Sequence, residues 1–364
     1  MRPVLRICFL LATATLWGVG CASPPPLRQT PLTQDQVDQF LTGGRDPRMY
    51  GITVYPDAAG PRFEFANRPH PGQSVRRDFV TPRGLPFPVI QAQSAITDPF
   101  PMLLDTSARQ TWAVMSALKG LEYRLVAPPT GEYADHVRTE IPGYAGVGNK
   151  LIMGKLHMEY PIFYVAPAAG MLGALNRIAP GEPTSAKPTA REKLARKISV
   201  VMGAAAMRNF AFVRFDFPAR AVSFSVTRVY QPSAPNVVAG LPLRDWRGRP
   251  AVAATLDGQP LTLVLDTAGD FDLALPGEHA AAGTLRFGDW AVDVEPRTHH
   301  ELGLPERFPA RLGLGVLSQL AVTLDFKNNR IWFEDPNRDL VADAAPDAAE
   351  SANPQPIHYR GVRP

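Results

Sequence analysis

A hydrophobic run ending in Asp-Thr and a small residue occurs twice in this chain, as Leu103-Leu104-Asp105-Thr106-Ser107 and as Val264-Leu265-Asp266-Thr267-Ala268. A single Asp-Thr pair is expected by chance in a sequence of this length and would constrain nothing. Here the flanking blocks repeat as well. After the first copy, Val200-Val201-Met202-Gly203 leads through an alanine-rich stretch into Val213-Arg214-Phe215-Asp216-Phe217-Pro218-Ala219-Arg220-Ala221-Val222-Ser223-Phe224. After the second, Arg311-Leu312-Gly313-Leu314-Gly315-Val316 leads into Val322-Thr323-Leu324-Asp325-Phe326-Lys327-Asn328-Asn329-Arg330-Ile331-Trp332-Phe333. Each block reads as a buried strand ending in glycine, a turn or two of helix, and a hairpin turned at Pro-Ala-Arg or Lys-Asn-Asn. A chain built this way folds as two similar lobes, each delivering one carboxylate.

The approach to each motif is strand-like too. Pro88-Val89-Ile90-Gln91-Ala92-Gln93 precedes Phe100-Pro101-Met102-Leu103-Leu104, and Pro250–Leu256 precedes Leu261–Leu265. Between the latter two lies Asp257-Gly258, a pair favoured in tight hairpin turns because both central residues need positive φ. Asp266 is therefore expected at the end of the second strand of a hairpin.

These residues resemble the bacterial retropepsin-like aspartic protease family, whose lobes carry a hydrophobic run into Asp-Thr-Gly-Ala, then a hydrophobic-hydrophobic-Gly strand, a short helix and a closing hairpin. The likeness covers most of residues 83–335 and occurs twice, as in fused, pepsin-like enzymes. It implies an all-β, two-lobed aspartic protease fold, two retropepsin-like β-barrel lobes with the cleft between them. It also assigns Thr106 and Thr267 to a hydroxyl network locking the two loops together. The residue after each Thr is normally glycine, because the loops cross closely; here Ser107 and Ala268 stand in its place.

Two facing carboxylates suit general acid-base hydrolysis. Like charges a few ångströms apart do not both ionise cheaply, so Asp105 and Asp266 would share a proton, one activating water and the other protonating the scissile carbonyl. That reading makes the chain an aspartic endopeptidase with no cofactor and no metal, acting on a polypeptide. The rival reading is a catalytically degenerate lipoprotein that keeps the cleft as a peptide-binding or envelope-assembly module; the two glycine departures favour it, whereas the Asp-Thr retained in both lobes favours the enzyme.

Substrate must also be held while water is controlled. The interval from Asp105 to Gly203 is about twice that from Asp266 to Gly313, which leaves room for a flap in the first lobe. The segment Ile141–Gly148, followed by the strand-like Leu151–Leu156, is the expected hairpin, with Tyr144 at its polar tip. A tyrosine packed on its own surface hairpin is the plainer alternative. The insertion Ala166–Lys197 carries a polar, helix-like stretch from Thr189, expected as decoration of the lobe's edge.

The chain's 364 residues, 45% of them hydrophobic, suffice for two ordinary cores, and 38 prolines with 29 glycines favour a loop-rich β protein. The formal charge of +4, two of which are Arg2 and Arg6, is too small to argue for nucleic acid. Those arginines, the apolar run Ile7–Leu16 and Gly18-Val19-Gly20-Cys21 resemble a bacterial lipoprotein signal over residues 1–20, with Cys21 lipidated. Ordinary signal cleavage nearby is the alternative. Lipidation would place the chain in the cell envelope as a monomer anchored to the outer membrane and facing the periplasm. Cys21 would then be its only cysteine, which excludes an intrachain disulfide.

Residues 21–82 are polar and proline-rich and read as a tether, with a short capped helix near Thr33–Gln36. Residues 83–232 and 233–335 form the two lobes, and 336–364 a disordered tail. Gly143–Lys150 lacks the spacing of a phosphate loop, and His299-His300-Glu301 lacks that of a zinc helix and is expected as a solvated turn. Asp270 and Asp272 are expected to be solvated. No Gly-x-Ser-x-Gly elbow is present.

Overall fold

The computed structural model describes residues 35, 47–55, 62–118, 121, 124–130, 143–166, 189–277, 281–304 and 306–338. In the first lobe Phe100–Leu104 runs parallel to Val200–Met202, which is antiparallel to Trp112–Val114, itself parallel to Ile162–Ala166. The second lobe repeats the pattern. Gln259–Leu265 is parallel to Ala310–Leu312, which is antiparallel to Leu273–Leu275, itself parallel to Pro296–Thr298. The register repeats as well, Met202 lying opposite Leu104 and Leu312 opposite Leu265. The Asp257-Gly258 turn forms as the sequence requires, with φ of 49° and 80°, joining Arg249–Leu256 to Gln259–Leu265.

The closing hairpins hold the lobes together. Phe212–Asp216 pairs antiparallel with Ala321–Asp325, Arg214 facing Thr323 at the centre of the ladder. The resulting six-stranded sheet runs Val237–Pro242, Arg330–Glu334, Ala321–Asp325, Phe212–Asp216, Ala221–Ser225, Ser74–Asp78. One apolar cluster extends through both lobes, from Ile52 to Phe333, and a smaller one of Phe271, Ala274, Leu302 and Leu304 lies beside the second Asp loop. The fold is all-β and two-lobed. The two intervening glycines are fixed by close packing: a Cβ on Gly203 would lie 2.2 Å from the Gln110 carbonyl oxygen, and one on Gly313 2.1 Å from that of Phe271.

Two expectations need correction. The stretch expected as a tether up to residue 82 is in part folded: Ser74–Asp78 edges the six-stranded sheet against Ala221–Ser225, and Arg68–Pro69 pairs with Met158–Glu159. The first lobe therefore begins well before residue 83. Backbone pairing recruits these polar strands, and only alternate residues of Ser74–Asp78 turn partly inward. Tyr144 does not sit at a hairpin tip. It lies within Gly143–Val147, a strand flanked by Ile162–Ala166 and Arg124–Thr130, while the hairpin here is Lys150–Met153 with Leu156–Glu159, turned at Gly154. Residues 1–34, including Cys21, the stretch 36–46 and residues 339–364 lie outside the described residues.

Candidate functional site

Each Asp loop leaves its strand in the same way. The Asp105 N–H donates to Met202 O at 3.0 Å and the Asp266 N–H to Leu312 O at 2.9 Å; the Ala204 N–H reaches Ala108 O at 2.8 Å and the Leu314 N–H reaches Gly269 O at 2.7 Å. Strand and helix thus clamp each loop from both sides. The loops then lock to each other. Thr106 Oγ1 donates to Leu265 O at 2.6 Å and Thr267 Oγ1 to Leu104 O at 2.7 Å, while the Thr106 N–H donates to Thr267 Oγ1 at 3.1 Å and the Thr267 N–H to Thr106 Oγ1 at 3.2 Å. All of these bonds are buried, so each is worth more than its solvated counterpart.

The departures from glycine do not open this crossing. Neither Ser107 nor Ala268 takes a positive φ, and both are fully buried. Ser107 turns its hydroxyl to Asp105, whose Oδ1 accepts from Ser107 Oγ at 2.8 Å and from the N–H groups of Ser107 and Ala108 at 2.9 and 3.1 Å. The second carboxylate has a different environment. Asp266 Oδ1 accepts from the Ala268 N–H at 3.2 Å, and Oδ2 faces Arg311 Nη1 at 3.4 Å. Asp266 and Arg311 have no exposed surface at all.

Arg311 was not singled out as a site residue by the sequence reading, although a signal was present. It occupies, in the strand before Gly313, the position that Val201 holds before Gly203, and both are flanked on each side by sheet partners. Ala310 and Leu312 enter the main core, so alternation turns Arg311 to the other face. There its guanidinium carbon lies 4.7 Å from the centroid of Phe308. A second arginine shares that ring: Arg249 sits 5.3 Å from it and donates from Nε to the Ser107 carbonyl at 2.7 Å, crossing from the second lobe to the first Asp loop. Arg249 is placed by a two-residue turn, Arg247 and Gly248 at φ of 49° and 86°, which sets it opposite Trp246. Trp246 packs on Phe308 with centroids 4.8 Å apart.

Among the neighbouring acids and histidines, Asp272 and His299 differ from expectation. Asp272 is half-buried, and Oδ1 occupies the space a Cβ on Gly315 would take, at 1.8 Å. Burial first, and the charge of Glu295 last, raise its carboxyl above the usual range, against a lowering from the Glu295 backbone N–H. Asp270 is exposed as expected, but it pairs with Arg191 at 3.1 Å. Arg191 belongs to the helix Ala190–Ala195, whose capping box uses Thr189 and Glu192, so the first-lobe insertion touches the second Asp loop. His299 is fully buried, whereas its neighbour His300 is exposed.

No protein-family model matches this chain, and no curated protein does. Among solved structures it is similar to the crystal structure of basic 7S globulin from soybean, at 10% identity, over 75% of this chain and 97% of that one, with a TM-score of 0.46. These findings overturn the family resemblance drawn from the motifs: nothing places the chain in a bacterial retropepsin-like or pepsin-like protease family. What the chain has is the all-β, two-lobed architecture described above.

Proposed function

We propose that this chain binds polypeptide at its paired Asp loops without hydrolysing it. The observation that carries this reading is the buried Arg311–Asp266 ion pair. Water activation by two carboxyl groups needs one of them as proton donor and the other as acceptor. A guanidinium beside Asp266, with Nη1 3.4 Å from Oδ2, supplies the countercharge that a shared proton supplies in an acid-base pair. Burial strengthens the pairing, because removing either partner strands an uncompensated charge at a cost of roughly 3–5 kcal/mol. Asp105 meanwhile is held by three donors from its own loop. In this reading Asp105, Asp266, Thr106, Thr267, Ser107 and Ala268 form a rigid floor between the lobes, and the Arg2–Cys21 leader pattern supports an envelope location through a lipid on Cys21.

A second reading, hydrolysis by Asp105 and Asp266, is favoured by the intact threonine crossing, which brings both Asp loops together. The experiment that separates them incubates the purified full chain with unfolded casein and a peptide library from pH 2 to 8. Binding without cleavage is expected at every pH. Cleavage lost in both Asp105→Asn and Asp266→Asn would establish the peptidase reading instead. For the anchor, mass spectrometry of membrane-extracted protein should find an acylated Cys21; a mature chain starting elsewhere overturns it.

A further inference from the structure

The Arg311 side chain is only partly used by the protein. Asp266 meets it through one nitrogen, Nη1, and at the long distance of 3.4 Å. The other edge of the guanidinium, Nε with Nη2, is buried, and among the described residues no protein atom accepts from either nitrogen. That edge is the planar fork which carboxylates engage with two parallel hydrogen bonds. A buried donor left without an acceptor is costly, and a buried cationic one more so. Arg249, on the same Phe308 ring, adds a second positive charge beside it.

We propose that the Nε/Nη2 edge of Arg311 receives a carboxylate of the bound chain, either an acidic side chain or the terminal carboxylate. The inference rests on the peptide-binding reading and names the chemical class of its ligand. Phe308, itself 4% exposed, covers the guanidinium, so the ligand displaces this ring on entry. Asp266 keeps Nη1 and fixes the plane of the fork. The incoming carboxylate then completes a three-part arrangement in which every nitrogen of Arg311 has an acceptor.

The test varies the ligand first, so that it does not depend on a variant's folding. Peptides retained by the full chain are resynthesised with Asp and Glu replaced by Asn and Gln, and separately with an amidated C-terminus, and affinities are measured by calorimetry. One of the two changes is expected to weaken binding at least about tenfold, since a charge-assisted bidentate contact is lost; which one does so identifies the source of the carboxylate. The same penalty should vanish in Arg311→Met and persist in part in Arg311→Lys, with circular dichroism confirming the fold. If acidic peptides and their amide counterparts bind alike, the carboxylate assignment is wrong while peptide binding stands. If no peptide binds, or peptides are cut, the underlying reading fails and this inference with it.

Discussion

The threonine crossing offers the most direct test of how the two lobes are joined. Thr106→Val keeps the shape and volume of the side chain but removes a hydroxyl that donates to Leu265 O and accepts from the Thr267 N–H. No cavity is made, so the cost is that of two buried backbone groups losing a partner. At about 1–3 kcal/mol for each such group, and allowing for relaxation, the loss should be ~2–4 kcal/mol. That is a large part of the roughly 5–15 kcal/mol by which a domain is stable. Thr267→Val should cost the same, because its hydroxyl makes the equivalent pair of bonds. The double variant should cost less than the sum: both hydroxyls close one seam, and residues this near usually couple by about 0.5–3 kcal/mol. Urea unfolding followed by fluorescence and circular dichroism together would measure this and show whether the lobes unfold as one unit. Thr262→Val, half-buried on the strand leading to Asp266, serves as control, with an expected change within about 0.5 kcal/mol. If Thr106→Val unfolds at the same urea concentration as that control, the crossing does not hold the lobes together and the argument is refuted.

Three further outcomes are expected. Gly203→Ala and Gly313→Ala each drive a Cβ into a backbone carbonyl that cannot swing away, so either should lower the melting temperature severely or leave no soluble protein; wild-type melting would mean these strands are not so close. Asp272 has a carboxyl raised by burial, so it stabilises the fold below its unfolded value of 3.8 and loses that contribution as pH rises through its raised one. Asp272→Asn should therefore gain stability relative to wild type as pH climbs through that window, and a pH-independent difference would contradict the assignment. Tyr230 is held protonated by burial and by donating to Glu334, which is 1% exposed and also paired with Arg214. Tyr230→Phe should cost ~1.5–3 kcal/mol in urea unfolding, whereas a neutral result would place the weight of the contact on Arg214 alone.

Most of the duplicated framework was legible because its signals are local. The hydrophobic-hydrophobic-Gly runs, the Asp257-Gly258 turn and the polar, helix-like stretch from Thr189 each specify a backbone shape from adjacent residues. The misread parts depend on distant partners. Ser74–Asp78 is a polar segment with only alternate residues partly inward, and its strand character comes from Ala221–Ser225, far along the chain. Gly143–Val147 reads as a loop because it is rich in small residues. In the structure the smallness serves packing: a Cβ on the adjoining Gly148 would sit 3.2 Å from the Phe163 ring. His299 looked like part of a solvated turn for a similar reason, since burial depends on what covers it.

The paired loops show where the two halves of the duplication have diverged. Their backbone hydrogen bonds through Met202 and Leu312, through Ala108 and Gly269, and across the threonines correspond. Side chains beside the carboxylates do not. Ser107 places a hydroxyl on Asp105 where Ala268 offers Asp266 only its N–H, and Val201 is apolar where Arg311 is charged. The scaffold therefore holds the two carboxylates in equivalent frames while giving them unequal electrostatics. An acid-base pair sharing one proton depends on the two groups exchanging roles, which equivalent surroundings permit. A carboxylate fixed to a buried guanidinium has one role, that of countercharge, and the free edge of that guanidinium is then the part of the site with chemistry left to offer a ligand. In the proposed function, what separates holding a chain from cutting one is no rearrangement of the fold but the charged residue at position 311, where the first lobe carries Val201.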